Sequence, residues 1–255
     1  MEDEQYFWDL FFPKLVEFFG PFWSEPKVGL NRRKQVATLF AMRAFRRLPA
    51  VDGLFKKGLY LESHPLVRAG YEDWIYLAFL LREPGSSRCE DFRGAVNKLD
   101  ARVYDAFRAL CGQAVTDSYF GIPPDRVATF VGCPRSQTRG VPFAKMADDV
   151  GLRLVHDFVY AYLSGMSHPD GRLHYIFEVS ESIIALIPKR DPAIEIRLAL
   201  WFAWFTSRIL VLASNEFGID HEHFVDEYLA PIAKDSLNIE TCVFVCEYNQ
   251  GLTGS

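Results

Sequence analysis

Residues 144–170 read AKMADDVGLRLVHDFVYAYLSGMSHPD. Within them His156, Tyr160, Ser164 and His168 fall at successive fourth positions, and Pro169 follows the last. At about 3.6 residues per turn such a series drifts slowly around a helix, so the four side chains form one oblique polar stripe. Val155, Phe158, Val159 and Leu163 supply an apolar face for packing. The spacing predicts a helix over 144–168 that buries one side. The stripe, ending in a histidine, is the best candidate site in the chain.

Two further stretches give this helix something to pack against. Residues 65–82 (PLVRAGYEDWIYLAFLLR) become apolar all round in their second half, which marks a central helix starting at Ser63-His64-Pro65. Arg68 and Glu72 interrupt it at i and i+4, an ion pair that is costly on a central helix unless both groups find more partners. Residues 192–216 form its natural partner, with Asp191-Pro192-Ala193-Glu195 as a start signal and Gly218 as a stop. The longest apolar run, 198–213, lies inside that helix and carries Arg208. It is short for a bilayer and reads as core.

The remaining segments fit the same class. Residues 4–19 have helical spacing, with Pro13 expected to break or kink them, and 20–29 read as a packed loop. Residues 29–48 form a basic amphipathic helix, 88–110 another helix, and 112–142 a long irregular connection rich in Gly, Pro, Ser and Thr. HYIFEV (174–179) is short and extended, Asp220-His221-Glu222-His223 starts a further helix, and 232–248 is mixed. There is no internal repeat. The expectation is an all-α multi-helix bundle, a single helical domain over 1–255 with at most a minor strand.

Composition narrows function more than it defines it. The net charge of -5 argues against nucleic-acid binding by bulk electrostatics. Arg32, Arg33, Lys34, Arg43, Arg46 and Arg47 nevertheless make 29–48 the densest positive cluster, a solvated helix face or else the place for an RNA contact. The 5 cysteines, without CxxC spacing, and an acidic MEDEQYFWDL start lacking a basic leader region point to reduced thiols in a cytoplasm. P-loop, dinucleotide-fold and hydrolase-elbow glycine motifs are absent, as is H-E-x-x-H. No metal and no cofactor is expected. Candidate partners are RNA or a nucleotide, a partner protein, or a second copy in a homodimer; no membrane is expected.

The polar groups left on apolar segments are Arg68, Glu72, Tyr160, Ser164, His168 and Arg208, and such groups must find one another. As a site, His168 is the general acid/base, its charged form favoured by the helix C-terminus and by Glu72. Arg68 or Arg208 holds a phosphate, and Tyr160 or Ser164 orients it. Such a set can cleave RNA through the ribose 2′-OH without metal. The same residues can equally form a buried network that fixes helix register. His156, for which the sequence names no partner, is set aside.

Residues 65–82 with 143–169 resemble a bacterial helical family, domain of unknown function five-six-seven-seven. Its R-x-x-x-E helix matches Arg68 and Glu72, and its second helix matches Ala147, Gly151, Tyr160, Ser164, His168 and Pro169. The resemblance implies the helical fold and the site between these segments. More distantly, the chain is similar to the higher-eukaryote and prokaryote nucleotide-binding helical superfamily, which includes metal-independent RNases of toxin and phage-defence systems. Those carry an Arg and then, after four to six residues, a His on one helix. Here Arg153 precedes His156 and Arg172 precedes His174 too closely, so an RNase site would have to combine Arg68 with His168.

Overall fold

The structure, a computed structural model, describes residues 2–92, 106, 108–113, 141–167, 177–179, 184–188, 192–224 and 227. Its elements are α1 (Glu2–Ser24), α2 (Arg32–Lys56), α3 (Tyr60–Leu81), α4 (Phe143–Asp149) and α5 (Arg153–Val155). A π-helical turn (His156–Tyr160) leads into α6 (Ala161–Ser167). Then come β1 (Phe177–Val179), β2 (Ile184–Pro188), α7 (Pro192–Asn215) and α8 (Glu222–Phe224). The strands form one antiparallel hairpin, Phe177 opposite Pro188 and Val179 opposite Ile184. The architecture is all-α, with that hairpin as its sheet among the described residues. Residues 1–79 with 144–255 group as one compact unit and 80–143 as a second.

In the first unit α7 is the core helix, and α2 and α1 pack against it. Leu198, Phe202, Phe205, Ile209 and Leu210 are fully buried. Residues 197–215 are long and apolar enough to cross a membrane, yet 83% of that stretch is buried within the protein. Asn215 ends the helix where expected. Gly218, at φ 74°, donates to Asn215 O while Ile219 N reaches back to Ser214 O.

Pro13 does not break α1. The helix runs through Pro13 and Pro21 to Ser24, taking in part of the supposed 20–29 loop. Phe11, Leu15, Phe19 and Trp23, each four apart, are all buried, and this packed seam outweighs the backbone bonds that the prolines remove. Pro49 is likewise carried inside α2, which begins with Asn31 Oδ1 accepting from Lys34 N at 2.9 Å and extends to Lys56.

α3 starts at Tyr60, so Pro65 lies inside it rather than at its first turn. Pro65 cannot donate to Leu61 O, and the His64 ring takes its place, with Nδ1 3.0 Å from that carbonyl. A carbonyl only accepts, so His64 carries its proton on Nδ1. Burial lowers its pKa and keeps the ring neutral, with the Leu61 contact, Glu62 and Tyr60 acting the other way. Five residues on, Gly70 faces α7: a Cβ there would meet Phe202 Cδ2 and Phe205 Cβ at 3.8 Å, ordinary van der Waals contact. Gly70→Ala is therefore expected to stabilise the protein by about 0.5–1 kcal/mol, since it removes backbone freedom from the unfolded chain without a clash. Urea denaturation checks this, and a loss of stability would mean that α3 and α7 cannot admit one methyl.

The expected 144–168 helix is interrupted. Gly151 adopts φ 78°, and Leu152 N bonds back to Ala147 O at 2.7 Å, which closes α4 and restarts the chain as α5.

In the second unit, 87–92 are helical, and Arg88 pairs with Glu83 at 2.9 Å. Buried Cys89 has its Sγ 3.6 Å from Leu80 O. Of the supposed 88–110 helix and the 112–142 connection, most residues lie outside those described.

Candidate functional site

Three cross-links join α3 to the segment 156–162, and their order gives the geometry. The His64 ring stacks on Tyr162 with centroids 6.4 Å apart. Arg68 Nη2 donates to Tyr160 OH at 3.1 Å, and Tyr71 OH lies 3.0 Å from His156 Nδ1. As the α3 number rises its partner's number falls, so the two segments run antiparallel. Positions 64, 68 and 71 share one helix face, and this row of polar groups is a seam within an apolar core.

Arg68 is the hub. Its Nε donates to Glu72 Oε1 at 2.8 Å, and the guanidinium lies over the Tyr160 ring, 4.9 Å from the centroid. The i,i+4 pair thus finds the further partner that a central helix requires. The Glu72 side chain is 39% exposed, so the seam meets solvent beside its middle cross-link. On either side of it α3 is closed, with His64 1% exposed. Tyr71 is 0% exposed, packed against Phe205 with centroids 5.3 Å apart, and burial above all drives its pKa up, helped by the charges of Asp157 and Glu72.

His156 sits against both tyrosines, its ring stacked on Tyr160 at 4.8 Å and facing Tyr71 at 6.2 Å. Burial lowers its pKa, Asp157 raises it and Arg153 lowers it. Tyr71 keeps its proton at all ordinary pH values, so its hydroxyl can donate to Nδ1 of a neutral ring protonated at Nε2. His156 and Tyr160 also bound the π turn. Such turns insert one residue into a helix and recur at functional sites.

The structure therefore brings Arg68, Glu72 and Tyr160 together and adds Tyr71 and His156. His156 had been set aside for lack of a partner, and Tyr71 is that partner. The signal available was the 64/68/71 spacing on α3, which places Tyr71 on the same face as Arg68. Ser164 Oγ is buried with no hydrogen-bond partner among the described residues. Arg208 lies over the Trp204 ring, 5.0 Å from its centroid, one turn back on α7. His168 lies outside the described residues.

The basic helix is also changed by its surroundings. Arg33 forms a two-pronged pair with Glu216, its Nε 2.9 Å from Oε2, and Lys34 lies over the Phe217 ring. Arg43 and Arg47 both pair with Asp73, at 3.2 and 2.6 Å. Half of the six cations thus meet carboxylates of the same chain, and these three brace α2 against α3 and against Glu216.

Fold and site together define an all-α protein with a polar seam, centred on one arginine, between two antiparallel helical segments. Comparisons with family models, with curated proteins and with solved structures give no match.

Proposed function

We propose that the protein binds and processes RNA or a nucleotide where the seam meets solvent at Glu72, in the setting of a bacterial defence or toxin system. The observation that carries this reading is the Arg68–Glu72–Tyr160 group, which reaches solvent from a helix otherwise given to the core. Arg68 receives phosphate, Tyr160 and Glu72 hold the guanidinium in plane, and His168, the residue after α6, is the acid/base group. In that reaction His168 takes the 2′-OH proton, the 2′-oxygen bonds to phosphorus, and the P–O5′ bond breaks as water gives the 5′-oxygen a proton, which yields a 2′,3′-cyclic phosphate and a 5′-hydroxyl.

The test is cleavage of an end-labelled RNA in the presence of a chelator, with a 2′-deoxy substrate as control. His168→Ala is expected to lower the rate by about 10²–10⁴-fold at unchanged melting temperature. Wild-type protein that leaves RNA intact, with Arg68→Ala and His168→Ala simply lowering stability, would overturn the reading. A second reading is a non-catalytic interaction module in which the seam only fixes helix register. The fully buried Tyr71 and its bond to His156 favour it.

A further inference from the structure

Two groups share the Tyr160 ring. The Arg68 guanidinium lies 4.9 Å from its centre and the His156 imidazole 4.8 Å, and Arg68 also holds the Tyr160 hydroxyl. While His156 is neutral, one cation uses that ring. Once protonated, the imidazolium becomes a second cation on the same ring, where it competes for the π electrons and repels the guanidinium. Its Nδ1 must then donate, so the Tyr71 hydroxyl has to turn and accept within a fully buried site. We propose that protonation of His156 loosens the hold of Tyr160 on Arg68 and makes that cross-link responsive to pH.

The charged and titratable groups around His156 among the described residues are few. Tyr71 and Tyr160 touch its ring, Asp157 and Arg153 act on it through their charges, and Arg68 and Glu72 reach it through Tyr160 and Tyr71. Asp157 favours the imidazolium, but it is itself tied to Arg153 by contacts of 2.9 and 3.0 Å at the surface, which offsets its pull. The sign is fixed by burial. The native ring binds a proton less readily than the unfolded chain, so its contribution is full above the ordinary 6.5 and is lost as pH falls below it. The inference holds whether or not the seam acts on RNA.

The test compares wild type with His156→Asn, whose amide keeps a hydrogen-bonding atom near the Nδ1 position but does not titrate. Between pH 7.5 and 5.5, wild type is expected to lose on the order of 2–4 °C more melting temperature than His156→Asn. In parallel, the His156 imidazole is followed by NMR in wild type and in Arg68→Met. Coupling is reciprocal, so removing the competing cation should shift the His156 titration upward. Equal pH slopes in the first comparison, or identical His156 titrations in the second, would overturn the proposal. If His156→Asn does not fold, the NMR comparison decides alone.

Discussion

Arg47→Met is expected to cost about 3 kcal/mol of folding stability at pH 8, the low end of what removing one member of a buried ion pair costs. Asp73 sits on α3, 6% exposed, and Arg47 of α2 meets it at 2.6 Å with its own side chain 13% exposed. Met fills the space of the stem, so most of the loss comes from stranding a carboxylate. Arg43 remains at 3.2 Å but is 46% exposed and offers a weaker, solvent-screened charge.

The pH dependence makes the cause identifiable. Burial raises the Asp73 pKa even though Arg47 and Arg43 pull it down. The native state therefore holds that proton more tightly than the unfolded chain, and the contribution of Asp73 declines as pH rises from 3.8 through its raised value. Without Arg47 the rise is larger. The deficit of Arg47→Met is thus expected to shrink between pH 8 and pH 5, and Asp73→Asn in the same chain to recover much of it. Urea unfolding at the two pH values measures both. A deficit independent of pH would assign the loss to packing and not to charge.

Phe205→Ala is expected to be the most damaging single change in the core, at about 3–5 kcal/mol. The Phe205 ring is 0% exposed, stacks on Trp74 at 5.8 Å and packs against Tyr71 at 5.3 Å. Its Cβ also lies 3.8 Å from where a Cβ on Gly70 would stand. Truncation leaves a cavity under the buried end of the seam, so Tyr71 loses its wall and with it the fixed approach to His156. Phe205→Leu retains part of the volume and should cost less. Chemical denaturation reads the stability, and the His156 NMR signal reads the seam. A loss below about 1 kcal/mol would mean that α7 does not brace α3 there.

Much of this architecture is legible along the chain because it rests on local rules. The apolar stretch 198–213 can only be buried, which makes α7 the core helix, and the run WIYLAFLL does the same for α3. Arg68 and Glu72 pair because i and i+4 are neighbours on any helix. Gly218 ends α7 because a left-handed residue at a helix end suits glycine. Where proline and packing compete, local rules lose: Pro13, Pro21, Pro49 and Pro65 all lie within helices, held there by buried seams or, at Pro65, by His64 taking the vacant carbonyl.

By itself, then, the sequence determined an all-α fold, its two central helices and the residues that had to seek partners. Which partners they found was a tertiary decision. Arg68 and Tyr160 are 92 positions apart, and Tyr71 and His156 are 85 apart. No helical period relates such residues, and only the antiparallel packing of α3 on the π turn brings them within hydrogen-bonding reach. The same holds for the arginines of α2. Their charges are plain in the sequence, but whether they face water or Asp73 and Glu216 depends on where the other helices lie. A buried polar group is satisfied by whatever the fold places beside it, and that is a property of the packed chain.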